Sequence, residues 1–243
     1  MENVQVYKFG GASVRDAAAI LNLCRIVREY GPQGPLVIVI SAMGKTTNAL
    51  EEIYDLAYEG QIYLNKLKLL KDFHWAAASE LCKQLKEDSA GIAHNLYDDL
   101  HELLEDLNQQ LTGITPRLDY DQQYDQIVGF GELLSSRLVA FSLSTNQNET
   151  WLDCRPLIRT NKTWREGQVN WTATETAVQA ALPFLLAKGL VVTQGFLGST
   201  ASGGHHHPGP RRLRLHGRYS GLLPAGRIGN HLERRNRPAQ RRP

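Results

Sequence analysis

Short apolar segments alternate with amphipathic helical segments over most of the chain, and this alternation constrains the fold more than any other feature. The stretches VQVYKFGG at 4–11 and GPLVIVISAMG at 34–44 have the length and composition of buried strands. A segment with helical periodicity follows each of them. The second stretch is apolar at successive positions, as expected for a parallel strand covered on both faces. The alternation predicts an α/β fold with a largely parallel central sheet and helices on both faces.

The first helical segment, residues 13–31, has recognisable ends. Ser13 or Asp16 lies near its start, and Gly31 lies at its end. After the second strand, we predict a helix at 46–60, a mostly helical region at 61–113 and a turn at 114–123. A helix at 124–146, entered through glycines, and a strand at 149–158 that stops at Pro156 follow. The last two predicted elements are a helix at 172–189 that tolerates Pro183 and a strand at 190–200.

The charge distribution divides the chain near residue 204. Residues 205–243 contain ten arginines and one acidic residue, Glu233, for a net charge of +9. The totals of 27 basic and 25 acidic residues then leave 17 and 24 for residues 1–204, a net charge of −7. Periodicity also ends there. We therefore expect residues 1–204 to form the folded part, incomplete on its C-terminal side, and residues 205–243 to be an unstructured tail.

Several classes of protein are not indicated by the composition. A hydrophobic content of 42% is ordinary for a soluble globular protein, and no run is expected to approach the length of a membrane span. The N-terminus has no basic start followed by an apolar signal core. Cys24, Cys82 and Cys154 are odd in number and lack ligand spacing, which predicts reduced thiols in a cytoplasmic protein.

Small and polar residues follow the predicted strands. The segments KFGGAS, SAMGKTTN and QGFLGST combine glycines, hydroxyls and helix starts, which together can receive a phosphate group. Lys8 ends the first strand beside Gly10 and Gly11 and could neutralise charge on a transferring phosphoryl group. Each feature also has a simpler explanation, since glycines serve tight turns and Lys8 could be a solvated cation. The stretch GKTT does not complete a P-loop, because Val39 stands where that motif needs glycine.

Taken together, these segments resemble the aspartokinases of the amino-acid kinase family. KFGGASV at 8–14 differs from the family motif K-F-G-G-T-S-V only at Ala12. The stretches VISAMGKTTN, GFGELLSSRL, DCRPLIRTN and LVVTQGFLGS match further family segments in the same order. The resemblance covers nearly all of residues 4–202, and its details look more like the monofunctional, lysine-sensitive type. The kinase half of a bifunctional aspartokinase–homoserine dehydrogenase is the alternative.

The resemblance implies transfer of the γ-phosphoryl group of ATP, with Mg²⁺ held mainly through the phosphates, to the β-carboxylate of L-aspartate. Lys8 would then be the catalytic cation. The remaining implied residues are Ser41, Thr47, Glu132 and Phe196 for aspartate, and Gly10, Gly11, Gly198 and Ser199, with Lys8, for the ATP phosphates. No resident metal site, nucleic acid or membrane is implied, and a homo-oligomer is expected if the full chain is made.

The tail departs from the family at the segment where T-T-T-L-G-R-E-G-S-D-Y-T-A-A is expected. Codons can be chosen for Gly204 onward that, read one nucleotide later, encode A-T-T-T-L-G-R-E-G-S-D-Y-T-A. We therefore interpret the tail as the product of a frame shift near residues 203–205. A metal site at the three histidines or a nucleic-acid-binding arm is less favoured. The frame shift makes a non-catalytic fragment that binds aspartate, or associates with intact subunits, the alternative for the chain as printed.

Overall fold

The computed structural model describes residues 4–85, 90–144 and 149–200, with the backbone alone for 90–94. A short 3₁₀ helix, Gly11–Val14, follows the first strand. The remaining elements, in chain order, are β1 (Gln5–Phe9), α1 (Ala17–Tyr30), β2 (Leu36–Ile40), α2 (Thr46–Tyr58), α3 (Leu64–Gln84), α4 (Ala90–Thr112), α5 (Tyr120–Val128), α6 (Phe130–Ser144), β3 (Glu149–Leu152), β4 (Arg159–Thr160), α7 (Trp171–Leu186), β5 (Leu190–Gln194) and β6 (Ser199–Thr200).

Four strands form a parallel sheet in the order β1-β2-β5-β3. The register pairs Phe9 with Ile40 and Ile40 with Gln194, so β1, β2 and β5 end at the same level. Strands β4 and β6 form a separate parallel pair. The predicted α/β class with a parallel sheet is confirmed.

Helices pack on both faces of the sheet, as predicted. Ile38 and Ile40 of β2 point into the larger core, which is formed with α1, α2, α3 and α6 among other elements. Val37 and Val39 of the same strand point the other way and pack against Val178 and neighbouring residues of α7. Side chains on a strand alternate between faces, so one fully apolar strand supplies both cores.

Helix α1 confirms the predicted capping signals and chooses between the two candidate starts. The side chain of Asp16 accepts a hydrogen bond from the amide of Ala19 at 2.8 Å, which makes Asp16 the N-cap. Gly31 occupies the C-cap, and its amide donates to the carbonyl of Val27 at 2.9 Å. Ser13 belongs instead to the 3₁₀ helix.

Two predicted elements around residue 120 are wrong in their boundaries. The turn predicted at 114–123 ends early, because Asp119 caps α5 by accepting from the amide of Gln122 at 2.8 Å. The single helix predicted at 124–146 is two helices, α5 and α6, separated at Gly129. The region 61–113 is mostly helical, as predicted, and contains two helices, α3 and α4.

Two predicted strands are shorter than expected. β3 ends at Leu152, because Asp153 begins a turn in which its side chain accepts from the amide of Arg155 at 2.9 Å. The strand predicted at 190–200 is interrupted after Gln194 by Phe196, whose φ of 64° is left-handed. Its last residues form β6, which belongs to the other sheet.

The run Tyr120–Ser144, which contains α5 and α6, includes an 18-residue window with the mean hydropathy (1.3) that a membrane span needs. The expectation that no run approaches that length is therefore wrong. The run lies inside the fold, however, since 89% of its most apolar window is buried. Core helices of soluble proteins satisfy the same criteria, so the run is weak evidence for a membrane span.

Candidate active site

The loops that follow β1, β2 and β5 meet at the carboxyl edge of the sheet. The amide of Ser41 donates to the carbonyl of Phe9 at 3.1 Å, and the amide of Gly195 donates to the carbonyl of Ile40 at 2.8 Å. Ligands of open α/β sheets bind at this edge. The structure therefore places side by side the three polar segments that the sequence offered separately.

We call the loops after β1, β2 and β5 the first, second and third loops. The first loop passes so close to the second that Gly11 has no room for a side chain. A Cβ atom at Gly11 would lie 2.6 Å from the carbonyl oxygen of Ala42. The amide of Gly44 also donates to the carbonyl of Gly11 at 3.2 Å. Gly10 has an ordinary extended backbone and precedes the 3₁₀ helix. Of the two glycines predicted to approach the phosphates, Gly11 is thus also required for packing.

Lys8 is exposed at this edge, and its ammonium nitrogen lies 5.2 Å from the centroid of the Phe196 ring. This distance is within the range of a cation–π contact. The left-handed φ of Phe196 costs about 1 kcal/mol for a residue with a Cβ atom, so its surroundings must hold it. Gly195 on one side is hydrogen-bonded to β2, and Leu197 on the other is buried. The structure therefore brings together two of the predicted site residues, Lys8 and Phe196.

Glu132 lies in the first turn of α6 and is only 2% exposed. The partial positive charge at a helix N-terminus favours a carboxylate at this position. The preceding Gly131 packs directly on the second loop, since a Cβ atom there would lie 2.9 Å from Cβ of Ala42. The start of α6 is therefore pressed against the loop that contains Ser41.

The hydroxyl groups at the end of the second loop differ in burial: that of Thr46 is buried, whereas Thr47 is half-buried. The hydroxyl of buried Thr46 donates to the carbonyl of Met43 at 2.6 Å and so stabilises the entry to α2. Thr47, the residue implied in aspartate binding, is half-buried in the first turn of α2. The carbonyl of Ser41 accepts from the hydroxyl of Ser135 at 2.9 Å, which links the loop to α6.

The third loop places Gly198 and Ser199 in the interior. Ser199 is 1% exposed, and its hydroxyl donates to the carbonyl of Arg155 at 2.7 Å. The same oxygen accepts from the guanidinium of Arg159 at 3.3 Å. Contact of Ser199 with a phosphate would require these protein partners to be replaced, so of the implied phosphate ligands it is the most deeply engaged in the fold.

Sequence reasoning missed a set of buried polar residues behind the edge. Gln194 is 2% exposed, and Ser135 and Ser136 are fully buried. All three have hydrogen-bond partners in the protein, as buried polar groups generally do. The available signal was a polar residue inside an otherwise apolar run, as in VVTQG and ELLSSRL.

Neither a metal-ligand cluster nor a reactive thiol at Cys154 is supported in the described part of the chain. Residues 4–85, 90–144 and 149–200 contain no group of three or more His, Cys, Asp or Glu side chains placed to hold a metal ion. Cys154 lies just after β3, but burial strongly raises the pKa of its thiol, which disfavours the reactive thiolate. The histidines at 205–207 lie outside the described residues.

Comparison with known proteins identifies the family. The model of the amino acid kinase family matches residues 3–220 of this chain. The chain belongs to the amino acid kinase family. The match ends inside the arginine-rich tail, beyond the boundary expected at 204.

Curated members of this family with similar sequences are aspartokinases of both architectures. Lysine-sensitive aspartokinase 3 of Escherichia coli K12 is 29% identical over 210 residues, which are 84% of this chain and 42% of that protein. Bifunctional aspartokinase/homoserine dehydrogenase 2 of the same organism is 30% identical over 203 residues, 82% of this chain and 23% of that one. Chloroplastic aspartokinase 1 of Arabidopsis thaliana is 32% identical over 145 residues, which are 58% of this chain and 23% of that protein. The chain thus spans less than half the length of each relative.

Solved structures agree on the fold. E. coli aspartokinase III in complex with lysine and aspartate superposes with a TM-score of 0.72 at 24% identity, over 86% of this chain and 43% of that chain. The complex of the same enzyme with aspartate and ADP gives a TM-score of 0.71 at 24% identity and the same coverage. The expected amino-acid kinase fold is confirmed.

Proposed function

We propose that this chain represents the aspartate-binding part of an aspartate kinase. The enzyme would transfer the γ-phosphoryl group of ATP to the β-carboxylate of L-aspartate and form aspartyl phosphate, the first step towards lysine, threonine and methionine. The observation that carries the proposal is the meeting of the β1, β2 and β5 loops around exposed Lys8 in a chain of this family. The aspartate named in the complexes of E. coli aspartokinase III supports the same substrate.

Lys8 would act as the catalytic cation. Phosphoryl transfer spreads negative charge over the oxygens of the transferring group, and a positioned cation lowers the energy of that state. Lys8 has the required access, since it is exposed at the carboxyl edge with its ammonium group over the face of Phe196. The chemistry needs no protein nucleophile, because the aspartate carboxylate itself attacks phosphorus while ADP leaves.

The aspartate would lie between the second loop and the start of α6. Ser41 and Thr47 would donate hydrogen bonds from the loop and from the first turn of α2. Glu132 would pair with the ammonium group of the substrate, and its buried position would strengthen that interaction relative to one in water. Phe196 would close the pocket beside Lys8.

The nucleotide would bind through its phosphates, with Gly10, Gly11, Gly198 and Ser199 contributing backbone or hydroxyl contacts beside Lys8. Family membership implies use of ATP, usually with Mg²⁺. The described residues fit a phosphate group better than a bare cation, since they offer an exposed lysine and loop backbone but no carboxylate cluster. Mg²⁺ would therefore be held mainly by the phosphates.

For the tail, we propose translation out of frame after a boundary at residue 204. The family segment expected to bind the transferring phosphates is then absent from the printed sequence, and residues 205–243 replace it. The chain as printed would bind aspartate but turn over little or none of it. This is the specific reason to retain the second candidate function, a non-catalytic fragment that binds aspartate or associates with intact subunits.

Sequencing the source DNA across codons 198–215, followed by a coupled assay of ADP release, tests both proposals. We expect a one-base difference at that site, and turnover with aspartate only from the chain with its frame restored. Lys8→Ala in the restored chain should lower turnover at least about 100-fold without unfolding the domain. Clear turnover by the printed chain would exclude the non-catalytic fragment.

Lys188→Ala is the matched control for Lys8→Ala. Lys188 also lies over a phenylalanine ring, that of Phe184, with the ammonium 4.3 Å from the ring centroid. It precedes β5 and so lies near the amino edge of the sheet, opposite the proposed site. Turnover should be unchanged in Lys188→Ala. An unreduced rate in a folded Lys8→Ala variant would refute the role of Lys8.

Assembly and location remain part of the proposal. We expect a homo-oligomer, no nucleic-acid or membrane partner, and a cytoplasmic location, although relatives with chloroplastic names exist in the same family. Light scattering of the restored protein would test the first expectation, and cell fractionation would test the last. We prefer a monofunctional aspartokinase over a bifunctional aspartokinase–homoserine dehydrogenase, because the segment TQGFLGS resembles the monofunctional, lysine-sensitive type more closely.

A further inference from the structure

One face of α6 carries both a proposed substrate ligand and two buried hydroxyl groups. Glu132, Ser135 and Ser136 are spaced i, i+3 and i+4, so their side chains lie on the same side of the helix. All three are buried, Glu132 at 2% exposure and the two serines completely. Whatever fixes Ser135 and Ser136 therefore also fixes the rotation and depth of Glu132.

Ser135 fastens this face to the end of β2. Its hydroxyl lies 2.9 Å from the carbonyl oxygen of Ser41 and 3.2 Å from that of Glu132. Because Ser41 is itself a proposed aspartate ligand, this contact connects two sides of the same site. Packing holds α6 against the sheet, and a second buried hydrogen bond on the same face would fix its position more exactly than packing does.

Gln194, the last residue of β5, supplies the second anchor. Its side-chain amide nitrogen donates to the hydroxyl oxygen of Ser136 at 2.9 Å, and its carbonyl oxygen accepts from the backbone amide of Cys154 at 3.0 Å. Ser136 also accepts from the indole nitrogen of Trp151 at 2.9 Å and donates to the carbonyl of Leu133 at 3.0 Å. One glutamine thus joins α6, β5 and the turn after β3.

We propose that Gln194 is a positioning residue, which sets the distance between Glu132 and the strand-end loops through its hydrogen bond to Ser136. The inference rests on the proposed aspartate-binding function of this site. Both ends of the amide are matched to their partners, donor to hydroxyl and acceptor to N–H, in a place where water cannot substitute. No apolar side chain of similar size can hold α6 and the turn after β3 in this way.

Substitution of Gln194 by methionine removes both hydrogen bonds while keeping a similar volume. The Cys154 amide and the Ser136 hydroxyl would then relax towards new partners, and the Glu132 face of α6 would shift with Ser136. Aspartate should bind about tenfold more weakly, an effect of about 1.4 kcal/mol. The melting temperature should also fall, because buried hydrogen bonds are lost.

Thr193→Val is the matched control for that loss of stability. Thr193 precedes Gln194 in β5, is 8% exposed, and donates from its hydroxyl to the carbonyl of Leu152 at 2.9 Å. The substitution removes a buried inter-strand hydrogen bond on the same strand without touching α6. It should lower the melting temperature but leave the aspartate dissociation constant within about twofold of the parent.

The experiment is calorimetric titration of L-aspartate into the 243-residue chain and its Gln194→Met, Thr193→Val and Ser136→Ala variants, each with a melting curve. Weaker binding in Gln194→Met and Ser136→Ala, with Thr193→Val unchanged, supports the proposal. Unchanged binding in a folded Gln194→Met variant, or equal weakening in Thr193→Val, overturns it. If Gln194→Met does not fold, Ser136→Ala decides by the same criterion. The unsubstituted chain is titrated first. Absence of aspartate binding by that chain overturns the proposed function itself.

Discussion

Helices α6 and α7 cover opposite faces of one parallel sheet, but they are buried to very different degrees. Thirteen of the fifteen residues of α6 are buried, whereas three of the sixteen residues of α7 are. Helix α6 packs against five other helices as well as the sheet, while α7 packs against β2, β4 and β5. The α6 side is a multilayered core, and the α7 side is a single cover.

The difference shows where a fold can hold polar groups in fixed positions. Buried Glu132, Ser135 and Ser136 of α6 sit among neighbours on every side, which exclude water and limit rotamers. The exposed face of α7 carries Trp171 and Phe184 at 41% and 66% exposure, where water competes for any contact. Precise placement of a carboxylate such as Glu132 is thus a property of the α6 side.

The largest expected effect contrasts one leucine from each helix. Leu138 of α6 is fully buried, and Leu182 of α7 is 6% exposed beneath a helix that is open to solvent. Leu138→Ala should destabilise the domain by about 4 kcal/mol and Leu182→Ala by about 2 kcal/mol, because the thin α7 layer can move inward to fill the space. Urea denaturation of both variants measures the difference. Equal costs would mean that α7 is held as rigidly as α6.

The α6 side also contains a buried titratable group, His74 of α3. Desolvation lowers its pKa to about 4, and its Nδ1 lies 2.8 Å from the carbonyl of Leu70. Between pH 4 and about 6.5, His74 is therefore protonated in the unfolded chain but neutral in the folded chain. The free energy of unfolding should rise with pH across that window. The contribution of His74 is complete above pH 6.5 and is lost as the pH falls towards 4.

His74→Phe should reduce the slope of stability against pH by up to about 1.4 kcal/mol per pH unit. Comparison with the parent is needed because Glu149 acts in the opposite direction. Burial raises the pKa of Glu149 to about 6, so its contribution decreases stability as the pH rises between about 4.5 and 6. Denaturation midpoints at several pH values provide the measurement. Identical slopes for parent and variant would place the titration elsewhere.

A smaller effect should follow from crowding the start of α6. In Gly131→Ala the new Cβ atom would lie 2.9 Å from Cβ of Ala42, closer than such atoms pack. We expect a loss of about 1–2 kcal/mol and weaker aspartate binding, because the helix start must move away from the second loop. Gly34→Ala is the control, since nothing lies within 4 Å of its new Cβ atom. A stable, fully binding Gly131→Ala variant would show that the loop can yield.

Local chemistry explains the parts of the fold that could be predicted from the sequence. The fully apolar run of β2, the Asp16 cap of α1 and the tolerance of α7 for Pro183 are each decided within a few residues. The strand-end loops were also predictable, because small residues between strand and helix mark turns wherever they occur. Motif order then indicated which of these turns form the candidate site.

Other features depend on residues far apart in the chain. The break between α5 and α6 at Gly129 and the left-handed Phe196 were not predicted, since each depends on what packs against it. The same holds for Gln194, whose polarity was visible but whose partners lie 40 and 58 residues away. The sequence by itself determined the order of strands and helices and the chemistry of their ends, because backbone preference and periodicity act locally. Only the tertiary structure decided which polar groups are buried and which groups they contact, because burial depends on the whole assembly of elements.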